Sequence, residues 1–225
     1  MDAARTRLRA ATPAGYSWWR HVALVGIFVA VGLGVAVSQL GPLRPRAWLW
    51  LAGTLLFTNF GEYVVHRWSL HVPRFPRAVY HRHVVEHHAF FTFERMAVDG
   101  WEDLRWVLFP PWALPLLVVT VLPLVLAVRL LASPDASWLY LLGVIAYYGV
   151  YEVFHALAHL PAGHALAGNA LVRAVTHHHR VHHDPALMRR YNFNFAIPLF
   201  DRLFGTTYAV STTADDRYPR LRSPV

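Results

Sequence analysis

Histidine is concentrated in four short stretches of the chain: HRWSLH at 66–71, HRHVVEHH at 81–88, HALAH at 155–159 and HHHRVHH at 177–183. An expression tag would sit at a terminus and have no partner clusters, so the question is what chemistry several spaced imidazoles perform together. Neutral imidazole is the commonest metal ligand. His155 and His159, His179 and His183, and His83 and His87 are each four residues apart. On a helix that spacing leaves about 40° between side chains, within reach of one ion. His182 lies one turn from His179. The adjacent pairs His87–His88 and His182–His183 point about 100° apart, so each pair can serve two ions or one ion from two directions. His66 and His71, five apart, fit one straight helix poorly; the spacing predicts that the helix ends or bends between them, with Pro73 just beyond. His21 and His164 stand alone and read as interfacial or hydrogen-bonded residues.

Ten clustered imidazoles exceed what one ion can take, which implies two. The candidate ligands are His66, His71, His83, His87, His88, His155, His159, His179, His182 and His183. The chain has no cysteine, which excludes thiolate zinc sites, iron–sulfur clusters and disulfide frameworks. Imidazole alone suits iron, zinc, copper or nickel. A structural zinc needs only four ligands, whereas two redox ions at a membrane surface suit oxygen activation against an unreactive lipid C–H bond. Lysine is also absent, which removes Schiff-base catalysis and the P-loop. A lysine-free chain rich in Ala, Arg, Val, Leu and Pro points to a GC-rich bacterial genome.

The elements that position these residues lie in a membrane-like composition. Of 225 residues, 56% are hydrophobic and 15% charged, against about 25% charged in soluble chains. The net charge of +8 is spread among apolar runs, which favours anionic lipid headgroups over nucleic acid as the counter-charge. Four runs are long enough to cross a bilayer core of about 30 Å: residues 22–40, 47–65, 106–128 and 136–154. The second carries Asn59 and Glu62. The third is punctuated by Pro110, Pro111, Pro115 and Pro123, which membrane helices tolerate as kinks. The first exceeds a signal-peptide core in length and reads as an anchor. Trp18, Trp19, Trp48, Trp50, Trp101 and Trp106 flank the runs as interfacial aromatics do.

The expected architecture is therefore an all-α membrane protein. Four transmembrane helices form two hairpins, and a cytoplasmic helical cap holds the di-metal site. Residues 1–21 read as a cytoplasmic tail, 22–208 as a single membrane-embedded domain and 209–225 as a C-terminal tail. The halves repeat loosely: GEYVVHRWSLH at 61–71 echoes VYEVFHALAH at 150–159, and each is followed by a denser histidine cluster. Two hairpins would thus contribute equivalent halves of one site.

The four motifs, in this order and interleaved with apolar runs, resemble the fatty acid hydroxylase/sterol desaturase superfamily of integral-membrane non-haem di-iron enzymes, over about residues 47–208. NFAIPLFDRLFGT at 194–206 is similar to that family's closing segment. The resemblance implies two iron ions, with zinc as a possible substitute, and O2 as co-substrate. It implies an oxidoreductase that hydroxylates or desaturates an unactivated C–H bond of a fatty acyl chain or sterol-like lipid. Electrons would come from an external donor (a ferredoxin, cytochrome or reductase), and the ten histidines would be the ligands of the two metal ions. Many members have two residues before the middle His-His pair where this chain has three, leaving His81 as a competitor of His83. Tyr151 and Glu152 match an aromatic–acid pair in some members. Glu152 or Glu62 could orient ligating imidazoles from outside, and His178 could support them. The nearest rival is a carotenoid ring hydroxylase. A membrane metal transporter or metal-binding protein is a rival of another class, disfavoured because transporters place ligands within spans.

Arginines orient the expected bundle. Arg44, Arg46 and Arg129 fall on one side and the other 18 of 21 basic residues on the side of the histidines, which should be cytoplasmic, in a bacterial inner membrane. Reporter fusions after Leu43 and Asp135 should therefore read outside, and fusions after Arg95 and Val225 inside. An outside reading after Arg95 would split the histidines across the membrane and rule out a single site.

Overall fold

The computed structural model describes residues 3–42, 45–74 and 76–208; Arg44 and the tail from 209 onward, used in the orientation count, lie outside the described residues. Among the described residues the chain is helical, with no strand beyond one isolated bridge between Thr92 and Arg95. In chain order the helices are α1 (Ala3–Ala10), α2 (Trp18–Ser38), α3 (Ala47–Val64), α4 (Arg77–Tyr80), α5 (His88–Phe90), α6 (Leu104–Val107), α7 (Ala113–Leu131), α8 (Pro134–Ala158), α9 (Ala170–His182) and α10 (Leu199–Leu203). Two π-helical segments, Val65–Leu70 and His81–His87, follow α3 and α4.

The chain divides into two units. The first draws on residues 3–16, 60–108 and 153–208, the second on 17–59 and 109–152. The second unit holds the long apolar helices. Among the described residues three helices are long and apolar enough to cross a membrane: α2 with 21 residues, α7 with 19 and α8 with 25, the last ending in the first unit. At about 1.5 Å per residue each reaches about 30 Å or nearly so. The expected run 47–65 appears as α3, 18 residues long, but it is not among the three. Its Thr54, Thr58, Asn59 and Glu62 are the reason. Thr54 and Thr58 donate back to the carbonyls four residues before them, and Asn59 donates to the Tyr147 hydroxyl at 2.6 Å.

The expected third run is displaced. Residues 106–107 belong to α6 in the first unit, where Trp106 is buried rather than interfacial, and the long helix starts only at Ala113. Pro110 and Pro111 cannot donate and restrict the residue before them, so no helix runs through. Pro115 lies in the first turn of α7, where its missing N–H costs no intrahelical bond, and Pro123 lies inside the helix. The outward face of α7 is mostly apolar, with Leu116, Val119, Leu126 and Leu130 all exposed, as a lipid-facing helix requires.

Val25, Leu114, Leu141, Ile145 and Tyr148 form the core of this unit. Gly143 is where α3 and α8 approach closely: a Cβ there would lie 2.8 Å from Thr54 Cγ2. Thr54 is buried, β-branched and already hydrogen-bonded, so it has little room to give. Gly143→Ala should cost about 1–3 kcal/mol, read as a lower thermal midpoint in detergent. An unchanged midpoint would show that the α3–α8 contact relaxes freely.

Candidate metal centre

Each histidine segment winds so that its rings converge. His66 and His71 were expected to straddle a helix end or bend. Instead the chain continues from α3 into a π-helical segment, Val65–Leu70. Hydrogen bonding from i to i+5 brings residues five apart onto one face, so a spacing that is poor for an α-helix is right for this one. The second π-helical segment, His81–His87, does the same for His83 and His88. His155 and His159 lie at the end of α8. Helix α9 is started by Asn169, whose side chain accepts from Leu171 N at 2.8 Å and Val172 N at 3.4 Å. Val172, Val175, His179 and His182 form its buried stripe.

The ten candidate histidines are all buried, and their Nε2 atoms fall into two groups. In one, His83 Nε2 lies 3.0 Å from His66, 3.1 Å from His71 and 3.1 Å from His88, and His71 lies 2.9 Å from His182. In the other, His87 Nε2 lies 3.1 Å from His183 and 3.2 Å from His155, and His179 lies 3.0 Å from His183 and 3.1 Å from His159. His66, His71, His83 and His182 could hold one metal ion, and His87, His159, His179 and His183 another. His88 joins the first quartet and His155 the second through the contacts just given.

Two expectations from spacing are corrected. His83 and His87, four apart, do not share an ion-facing side: they belong to different groups, their rings stacked 5.4 Å apart. His182 likewise parts from His179. Each adjacent pair is split, with His88 and His182 in the first group and His87 and His183 in the second. The first half of the sequence thus builds four members of the first group and lends His87 to the second. The second half builds four of the second group and lends His182 to the first.

Hydrogen bonds fix the tautomers. A carbonyl only accepts, so a ring nitrogen bonded to one carries the proton. Nδ1 donates to Phe193 O in His66 (2.5 Å) and to Tyr191 O in His182 (3.0 Å). In the second group it donates to Phe91 O in His183 (2.5 Å), Met96 O in His159 (2.6 Å) and Trp106 O in His87 (2.8 Å). His87 and His183 therefore face each other at 3.1 Å with a lone pair on each Nε2. Protonating one would relieve the clash, but burial, and after it the neighbouring rings, push His83, His88, His179 and His182 well below the ordinary value of 6.5. Burial has the same effect on His87 and His183. A cation between the lone pairs resolves the conflict. Two imidazoles each about 2.0–2.1 Å from one ion lie about 3 Å apart when they bind at about right angles, and about 3.4 Å apart in a tetrahedron. The observed contacts, 2.9–3.2 Å, are close enough for two nitrogens to share one ion.

The groups expected to support the imidazoles do so less directly. Glu62 accepts from Asn194 Nδ2 (3.1 Å), Phe195 N (2.6 Å) and Ala196 N (3.2 Å), which secures the loop whose Phe193 carbonyl holds His66. His178 contacts the Asn194 carbonyl at 3.0 Å. Tyr151 and Glu152 belong to the second unit, where Tyr151 stacks on Phe109 at 5.5 Å and Glu152 accepts from Tyr148 Oη (2.7 Å) and Phe109 N (3.2 Å). Sequence reasoning missed two residues that shape the loop at 191–195. Asn192 adopts a positive φ of 58°, and its side chain bonds His178 O and Tyr208 N; asparagine is the usual non-glycine residue there. Asp201 is buried and accepts from Phe193 N (3.0 Å), Asn194 N (2.6 Å) and Thr206 Oγ1 (2.7 Å). Asp201 lies in the closing segment that carried the resemblance, so only its role was hidden.

His81, the competitor of His83, is exposed and lies 3.3 Å from Glu86. His83→Ala should therefore lower the metal content and abolish product formation, while His81→Ala should leave most of both. Metal loss from His81→Ala alone would reverse the assignment.

The family model described as fatty acid hydroxylase matches residues 51–206, more than half of the chain, a range that holds all ten candidate ligands. No curated protein and no solved structure matches the chain. With its helical architecture, apolar helices and two imidazole groups, the chain belongs to the fatty acid hydroxylase family, within the fatty acid hydroxylase/sterol desaturase superfamily.

Proposed function

We propose that this protein is a membrane-bound di-iron oxygenase that inserts oxygen into, or desaturates, an unactivated C–H bond of a lipid. The carrying observation is the facing lone pairs of His87 and His183, buried within one of two five-histidine groups whose spacing suits two cations. Family membership supports oxidation of a lipid. The ten histidines named above are the proposed ligands, five to each ion. α3 is proposed as a fourth span beside α2, α7 and α8, with the histidines on the cytoplasmic side, as the arginine distribution indicates.

The bound ions would supply reduction of dioxygen and, through it, the oxidising power that breaks the C–H bond. The chain's residues do the rest. Carbonyls of Phe91, Met96, Trp106, Tyr191 and Phe193 fix five rings and keep the proton on Nδ1, so Nε2 stays free to ligate. Aromatic walls exclude water: Phe91 lies 4.1 Å from the His159 ring, and Phe195 lies 4.4 Å from His179. The ten histidines ligate and tune; all of them are buried, so none of the ten is exposed to act as acid or base. Reducing equivalents come from an external donor, because the chain holds no cysteine and no flavin-binding fingerprint. In hydroxylation one oxygen atom enters the C–H bond and the other leaves as water.

Lipid extracts from a host with and without the gene should differ by a species heavier by one oxygen or lighter by two hydrogens. The purified protein should hold two metal ions per chain, chelation should abolish turnover, and ferrous iron should restore it. Turnover that survives complete removal of metal would overturn the proposal.

A further inference from the structure

The two imidazole groups hang on different loops. The first group is held by Tyr191 and Phe193, the second by Phe91 and Met96 together with Trp106. The Phe91–Val98 segment grips His159 twice, since Val98 N also donates to His159 O at 2.9 Å. This segment is clamped from outside by α1, which precedes residues 51–206 and so lies outside the family match.

Arg5 makes the clamp. Its side chain is 1% exposed, and Nη2 donates to Ala97 O at 2.6 Å, the carbonyl next to the one that holds His159. The guanidinium lies 4.6 Å from the Phe90 ring and 5.4 Å from the Phe91 ring, beside the carbonyl that holds His183. Asp103 accepts from Arg5 at 3.3 Å and from Arg9 Nε at 2.9 Å, and Asp99 accepts from Arg9 at 2.7 Å. Arginine buried this deeply needs such partners, and its planar fork serves carbonyl, carboxylate and ring face together. Leu8 is the remaining buried residue of α1. The segment expected to be a tail is therefore an anchored helix.

We propose that Arg5 is a positioning residue for one of the two metal ions: α1 sets the affinity of the His87, His155, His159, His179 and His183 group without acting on the other. This rests on the reading that each group holds an ion. Glu62 is its counterpart on the other side, since it secures the loop that holds His66.

The test is a cobalt(II) titration of the full-length, metal-stripped protein in detergent, followed by calorimetry and ligand-field absorption. The wild type should take up two equivalents. Arg5→Gln should weaken one equivalent by about tenfold, the lower end of what contacts supporting a ligand are worth, and leave the other within about twofold. Arg9→Gln, at a half-exposed position less critical for folding, should weaken the same equivalent to a smaller extent and decides the matter if Arg5→Gln does not fold. Glu62→Gln should weaken the other equivalent, and the Arg5→Gln/Glu62→Gln double variant should weaken both. A general structural role for Arg5 predicts equal loss of both ions. That result, no change in either, or Arg5→Gln and Glu62→Gln acting on the same equivalent would overturn the proposal. A wild type that binds fewer than two ions would instead overturn the two-ion reading itself, and this inference with it.

Discussion

A buried neutral imidazole has one N–H and one lone pair, and each needs a partner. This requirement organises the first unit. Leaving a buried donor unpaired costs about 1–3 kcal/mol, and five of the ten rings donate Nδ1–H to a backbone carbonyl. Once that proton is placed, the lone pair on Nε2 is fixed on the opposite side of the ring. Of the rings held this way, His87 and His183 direct their lone pairs at each other across 3.1 Å. Without a cation the arrangement is repulsive; with one it is a ligand set. The carbonyls of Phe91, Met96, Trp106, Tyr191 and Phe193 therefore matter as much as the rings they hold, although none of these residues could ligate through its side chain.

The same constraint ties the halves of the sequence together. Adjacent histidines on a helix diverge by about 100°, so His87–His88 and His182–His183 cannot each serve a single group. Each pair is divided, and each half of the chain completes the group that the other half builds. Neither group closes from one half alone, so both halves must fold before either lone-pair cluster exists. The loose repeat in the sequence thus corresponds to reciprocal exchange rather than to two independent sites.

Much of the convergence was legible in the sequence because it rests on side-chain type: the ten histidines singled out by their clustering are all buried and gather into two groups. The partition between groups was not legible. Four-residue spacing placed His83 with His87 because an α-helix was assumed, and the winding is not α. The carbonyl partners were invisible for a different reason. Every residue has a carbonyl, so nothing in the letters marks Phe91 or Met96 as special. Arg5 and Asp103 lie almost a hundred positions apart and meet only through tertiary packing. The apolar helices were legible by length and polarity, but their limits moved where proline acts: Pro110 and Pro111 separate Trp106 from the helix it was expected to start.

The π-helical winding also accounts for the spacing of the middle histidine cluster. Three residues, Val84, Val85 and Glu86, separate His83 from the His87–His88 pair, one more than the resemblance implies. In an α-helix, one added residue would rotate the pair by about 100° relative to His83 and pull it off the site. A π-helix absorbs it, because its hydrogen bonds run to i+5 instead of i+4. His88, five beyond His83, then stands where the fourth residue stands in an α-helix, and its Nε2 reaches His83 at 3.1 Å. His87 remains on the adjoining side, facing His183. The same winding brings His71 back under His66. The local helix type, set by where the histidines must meet, restores a geometry that residue counting alone would have judged lost.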